Sequence, residues 1–110
     1  MDLLHIGHHC CIRMAKECFA LIEKGHNVHG IGFRPPACVN EMKSFIQSPD
    51  VERLKNALNW HKQSGNIQVI HVHNEPNWIV YAVKEVFGDS IPVVLDVHDS
   101  MFYRSDSEEF

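Results

Sequence analysis

Two short segments gather the residues best suited to chemistry. His71-Val72-His73-Asn74-Glu75-Pro76 and Val93-Val94-Leu95-Asp96-Val97-His98-Asp99 each follow an apolar run with imidazoles and carboxylates. A continuous run of Val, Ile and Leu is what a parallel strand buried on both faces requires. Open α/β sheets bind ligands in the crevice outside the carboxyl ends of their strands. Two strands that both end in titratable side chains therefore point to one pocket built from both tips.

Alternation along a strand puts His71 and His73 on one face. Such a pair can hydrogen-bond a polar ligand. It can also hold a metal, with Asp96, His98 and Asp99 completing a ligand set from the next strand. The polar-ligand role is preferred, and no metal or cofactor is assigned. Glu75 reads either as a base or hydroxyl acceptor facing the crevice or as a solvated loop carboxylate. Asn77 can cap a helix behind Pro76. A His at position 98 can donate to a phosphate or a sugar hydroxyl, and a neighbouring carboxylate can orient its ring. No Ser-His-Asp order or GxSxG elbow is present.

A third candidate is Gly7-His8-His9-Cys10-Cys11-Ile12-Arg13, between a first strand and a first helix. A helix N-terminus offers free N–H groups and a positive dipole end to an anion. The segment lacks both GxGxxG and GxxxxGK[ST], so a structural turn fits it equally well. Arg13 either pairs with an anionic ligand or faces solvent. His5, His26, His29 and His61 read as structural.

The elements that must position these residues follow from periodicity and punctuation. Leu3 to Ile6 predicts a strand ending at Gly7. Met14, Cys18, Leu21 and Ile22, widened by Ala15 and Phe19, predict a helix from Ile12 to Lys24, closed by Gly25. Asn27 to Ile31 predicts a second strand, and Arg34-Pro35-Pro36 a loop. Met42, Phe45 and Ile46 suggest a short helix over Val39 to Ile46. Val51, Leu54, Leu58 and His61, flanked by Ala57 and Trp60, predict a helix started near Asp50 and stopped at Ser64-Gly65-Asn66. Ile67 to Val72 predicts a strand, Asn77 to Phe87 a helix, and Pro92 to Val97 a fourth strand, with Pro at its first position. Alternating strands and helices imply a parallel sheet with right-handed crossovers. The expected fold class is therefore α/β, a three-layer α/β/α sandwich around a parallel Rossmann-like sheet. Its strand order is expected to be 3-2-1-4-5, with the last strand missing or rudimentary.

Composition narrows the function classes. The 110 residues suit one domain, 1–110, with one core. Ten basic and 14 acidic residues give a net charge of −4, which disfavours nucleic acid as a partner. No apolar run is long enough to span a membrane, and the start lacks the features of a signal peptide, so the cytoplasm is expected. The four cysteines show no CxxC spacing and read as reduced thiols, with Cys18 and Cys38 as small apolar residues.

Three segments also resemble a known family. Ala20-Leu21-Ile22-Glu23-Lys24-Gly25-His26-Asn27-Val28 is similar to the "A-L-x-x-x-G-H-x-V" that leads into the second strand of GT-B glycosyltransferases. Ile70-His71-Val72-His73 resembles that family's "D-[IV]-V-H-x-H" strand. Val93 to Asp99, after Pro92, resembles its "P-V-V-x-[TD]-x-H-D" segment. The match is nearest to the family-four retaining enzymes. It implies an amino-terminal domain that holds mostly the sugar acceptor. The nucleotide-sugar donor would sit on a second domain, which these residues do not include. By position, the resemblance makes His98 the histidine that contacts the transferred sugar, with Asp99 beside it. It places Gly7 and the loop after it near the donor phosphates or acceptor, and His73 and Glu75 on the acceptor side. The first loop departs from the family's frequent G-G, reading Gly7-His8-His9.

The expected function is thus the acceptor-binding half of a retaining glycosyltransferase, inactive alone. His98 and Asp99 would be catalytic, and Gly7, His8, Arg13, His73, Glu75 and Asp96 would bind substrate. The expected partners are a sugar acceptor and either a separate donor-binding domain or a second copy. The alternatives are a non-catalytic assembly module and a small metal-dependent hydrolase using His71, His73, Asp96 and His98.

Overall fold

A computed structural model describes residues 1–7, 12–73 and 78–96, apart from the side chains of residues 12 and 13. These residues form, in chain order, five strands and three α-helices: β1 (Asp2–Gly7), α1 (Ile12–Glu23), β2 (Asn27–Gly32), β3 (Ser44–Gln47), α2 (Val51–Ser64), β4 (Val69–His73), α3 (Trp78–Phe87) and β5 (Val93–Asp96). A single 3₁₀ turn, Val39–Glu41, precedes β3. All neighbouring strands pair in parallel, in the order β3-β2-β1-β4-β5.

The sheet separates two apolar layers. Leu4 and Ile6 of β1, Ile31 of β2, and Ile70 and Val72 of β4 bury against α2 and α3, which supply Leu54, Leu58, Ile79, Val83 and Phe87. The opposite face is covered by α1. There Met14 and Cys18 meet Val28, Cys38 and Met42. Helix α1 thus lies on one side of the sheet and α2 and α3 on the other, the three-layer α/β/α arrangement expected.

Local signals explain the helix ends. The Asp50 carboxylate accepts from the Arg53 backbone N–H at 2.8 Å and caps α2. Gly65 ends the same helix at φ 70°, where its N–H reaches the His61 and Lys62 carbonyls. Gly25, at φ 89°, plays the matching part after α1.

The segment 39–46 departs from expectation. In place of a helix it forms the 3₁₀ turn and then β3, which adds a fifth strand to the four expected, counted among the described residues. Phe45 and Ile46 do not share a side: Phe45 packs with the α1 layer and Ile46 with the α2–α3 layer. Apolar residues at 42, 45 and 46 fit a helical stripe, but adjacent apolar residues also suit a strand buried on both faces. Backbone pairing to His29–Gly32 of β2 decides the matter. Gly30 leaves room there for β3, because a Cβ at this position would lie 2.5 Å from Met42 Cε and 2.9 Å from Phe45 Cδ1 and would force both side chains to shift. Val51 and Trp60, expected on or beside the inner face of α2, are exposed.

Candidate functional site

The carboxyl ends of the strands form one row. Gly7 of β1 is in register with His73 of β4, and His73 is in register with Asp96 of β5. The three described residues that the sequence singled out on strand tips are therefore neighbours. The other candidates, His8, Glu75, His98, Asp99 and the Arg13 side chain, lie outside what the structure describes, as does the proposed Asn77 cap.

Strand alternation sends His73 and Asp96 toward the α1 layer, together with His71. They do not stand alone there. His5, two residues before the end of β1, pairs in register with His71. The His71 and His73 rings stack at 4.2 Å with an interplanar angle of 3°. His5 stacks on both, at 4.8 and 5.0 Å. His5 Nδ1 and His73 Nε2 are 2.7 Å apart, so one proton lies between them. From above, α1 lowers Glu17 onto the group. Its Oε2 is 3.7 Å from His71 Nε2 and 3.6 Å from His73 Nδ1. The Asp96 carboxylate completes the edge and accepts from His71 Nε2 at 3.3 Å.

His5 and His73 are buried, whereas His71, Glu17 and Asp96 are partly exposed. Burial, reinforced by the nearby His71, pushes the His5 pKa down to about 4, so its imidazole is neutral near pH 7. The second ring nitrogen of His5, Nε2, is buried without a hydrogen-bond partner. A cleft of about 320 Å³, lined by His5, Glu17, Ala20, Leu21 and His71, opens onto this group. One donor atom from each of His5, Glu17, His71 and His73 can be chosen so that all lie within 4.8 Å of one another.

His5 and Glu17 are the members of this cluster that sequence reading missed. His5 shares its strand parity with Leu3 and Gly7, which fixes its face, but its neighbour on β4 follows only from the strand order. Glu17 sits three residues after Met14 and four before Leu21, at the border of the buried stripe of α1. That position is a signal for an inward-leaning carboxylate once the sheet carries a polar patch beneath it.

A second polar pair lies on the far face. His29 donates from Nε2 to the Asp2 carboxylate at 3.0 Å, and its Nδ1 meets the Ser44 hydroxyl at 2.8 Å. The bond to His29 holds the Asp2 carboxyl below its usual range. The His61 ring meets His29 edge-on at 5.4 Å. These histidines are consistent with the structural reading.

Among solved structures, the chain is similar to the C-terminal domain of a hydrogenase from Pyrococcus furiosus. One structure of that domain gives a TM-score of 0.71 at 19% identity, covering 87% of this chain and 90% of that one. A second gives 0.60 at 17% identity, covering 86% and 89%. At this identity the likeness establishes the α/β fold alone. No family model and no curated protein matches the chain. Among the described residues, no helix is long and apolar enough to cross a membrane.

Proposed function

We propose that this chain is the acceptor-side, amino-terminal domain of a nucleotide-sugar-dependent glycosyltransferase of the retaining GT-B type. The observation that carries this reading is the row Gly7–His73–Asp96 at the carboxyl rim of β1, β4 and β5. In an open parallel sheet this rim is where ligands bind. The described parts of the segments that carry the resemblance are compatible with it: Ala20–Val28 runs from the end of α1 into β2, His71 and His73 end β4, and Val93–Asp96 is β5. A sugar hydroxyl is a donor and an acceptor at once. A rim offering the partly exposed Asp96 carboxylate as acceptor and backbone N–H and C=O groups beside the side-chain-free Gly7 can satisfy both roles. Group transfer needs donor and acceptor held together, so a domain that binds only the acceptor has no transferase activity alone.

The test is titration of the isotopically labelled chain, followed by backbone amide shifts. A panel of mono- and disaccharides serves as the acceptor probe and UDP-glucose as the donor probe. At least one saccharide is expected to bind saturably and move the amides of Gly7, His73 and Asp96, while UDP-glucose does not saturate. Asp96→Asn should weaken the saccharide about tenfold, the ordinary worth of one charge-assisted hydrogen bond. Absence of saccharide binding across the panel, or shifts that map to the opposite end of the sheet, would overturn the reading.

A further inference from the structure

We infer that His5, Glu17, His71 and His73 form a binding site for one first-row transition-metal dication, zinc being the expected occupant. This goes beyond the acceptor reading and stands whether or not a sugar binds at the rim. It also revises the sequence expectation of no metal.

Ligand chemistry is the first argument. Three imidazoles and one carboxylate make a borderline, nitrogen-rich set, suited to zinc, nickel, cobalt or copper and unsuited to the oxygen-seeking calcium and magnesium. Spacing is the second. Bonds of about 2.0–2.1 Å to a tetrahedral zinc place its donors about 3.3 Å apart. Here Glu17 Oε2 stands 3.7 Å from His71 Nε2 and 3.6 Å from His73 Nδ1, a few tenths of an ångström beyond that spacing, and the full set of four donors lies within 4.8 Å, so the group must draw in around the cation. Both distances are too long for good hydrogen bonds. The groups thus face one another at a separation that a shared cation fills better than a proton does.

The third argument is the neighbourhood. His73 Nε2 is engaged with His5 Nδ1 at 2.7 Å, which directs the other nitrogen, Nδ1, toward Glu17. Metal-bound histidines are ordinarily fixed in this way through their second nitrogen. His5 itself is 1% exposed, yet its Nε2 has no hydrogen-bond partner. A buried polar atom left unpaired is costly, so this nitrogen is available to a bound cation or water. Asp96, 3.3 Å from His71 Nε2, is placed to act as an additional or exchanging ligand. Access is provided by the 320 Å³ cleft above His5, Glu17 and His71. The cation would tie α1, through Glu17, to β1 and β4, so binding should show as stability.

The experiment uses the full chain, stripped with chelator and titrated with zinc chloride by calorimetry and thermal melting, and with cobalt chloride by visible absorption. The expected result is one cation per chain, a rise in the melting midpoint on the order of 10 °C at a hundredfold excess over Kd, and tetrahedral cobalt bands between about 500 and 700 nm. Glu17→Gln and His71→Gln, both at partly exposed positions, should keep the apo fold and weaken binding at least tenfold. His26→Ala serves as the control and should leave affinity unchanged. If His73→Ala fails to fold, these two milder variants decide the question. Failure to bind one cation saturably would overturn the proposal. So would binding that both Glu17→Gln and His71→Gln leave intact, because the cation would then sit on other histidines.

Discussion

His61 offers a sharp test of how burial governs stability in this fold. It lies on the inner face of α2 at 1% exposure, edge-on to His29 at 5.4 Å, and its Nε2 has no hydrogen-bond partner. Burial, with the neighbouring His29 adding to it, lowers its pKa from 6.5 to about 4. His29 in turn is bonded to the Asp2 carboxylate. The unfolded chain takes up a proton on this imidazole near pH 6.5, while the folded chain resists until about pH 4. Stability is therefore whole above pH 6.5 and declines as pH falls through this window. Integrating the linkage over these two values gives a loss of about 2 kcal/mol by pH 5 and about 3 kcal/mol by pH 4. That is a large share of the ~5–15 kcal/mol that holds an ordinary domain together. The measurement is urea unfolding of the metal-free chain at several pH values between 7.5 and 4, for the native chain and for His61→Leu. Leucine removes the titrating group and the unpaired nitrogen but keeps an apolar side chain. The difference between the two curves isolates His61 from His5, which also contributes to the native slope. The variant should lose less stability than the native chain, by the amounts given. Parallel curves would refute the argument that buried neutral imidazole is what the core maintains.

Further outcomes follow from single contacts. Gly30→Ala should cost about 1–3 kcal/mol in chemical denaturation, because its Cβ must displace Phe45 as well as the tip of Met42. Asp50→Ala should cost about 1 kcal/mol by removing the cap on the Arg53 N–H, with Asp50→Asn close to neutral. Cys18 and Cys38 are both buried, and burial pushes the Cys38 thiol pKa up, so a thiol reagent at pH 7.5 should label neither until denaturant is added. Prompt labelling of Cys38 in the native chain would contradict the packing of Met14, Val28 and Met42 around it.

How far the sequence spoke for the fold depends on how each element is held. α2 was legible because its signals are local: an Asp cap, a Leu54–Leu58–His61 spacing and a Gly stop. β1 and β4 were legible from their Leu, Ile and Val residues, and β2 from Val28 and Ile31 between two glycine stops, although each strand also buries a histidine. β3 was not. Four residues, Ser44–Gln47, carry too few side chains to set a period, and their conformation is imposed by hydrogen bonds to β2. The space above Gly30 is what admits Met42 and Phe45, a tertiary fact that propensity cannot express.

The site divides along the same line. That His71 and His73 share a face, and that Asp96 ends the neighbouring strand, follows from a period of two. What the period cannot supply is the partner across the sheet or the layer above it. β1 becomes the neighbour of β4 only through the sheet order, and this alone sets His5 beside His71. Glu17 joins only because α1 packs over that join. The consequence is that a row of residues read as a rim for a ligand is also the edge of a buried imidazole cluster. His73 belongs to both: its backbone ends β4 at the rim, while its side chain faces inward to His5 and Glu17. A change at His73 should therefore disturb saccharide and metal binding together, whereas Glu17→Gln should affect the metal alone. Loss of metal binding with saccharide binding retained in Glu17→Gln is the outcome that would assign each proposed ligand to its own side of His73.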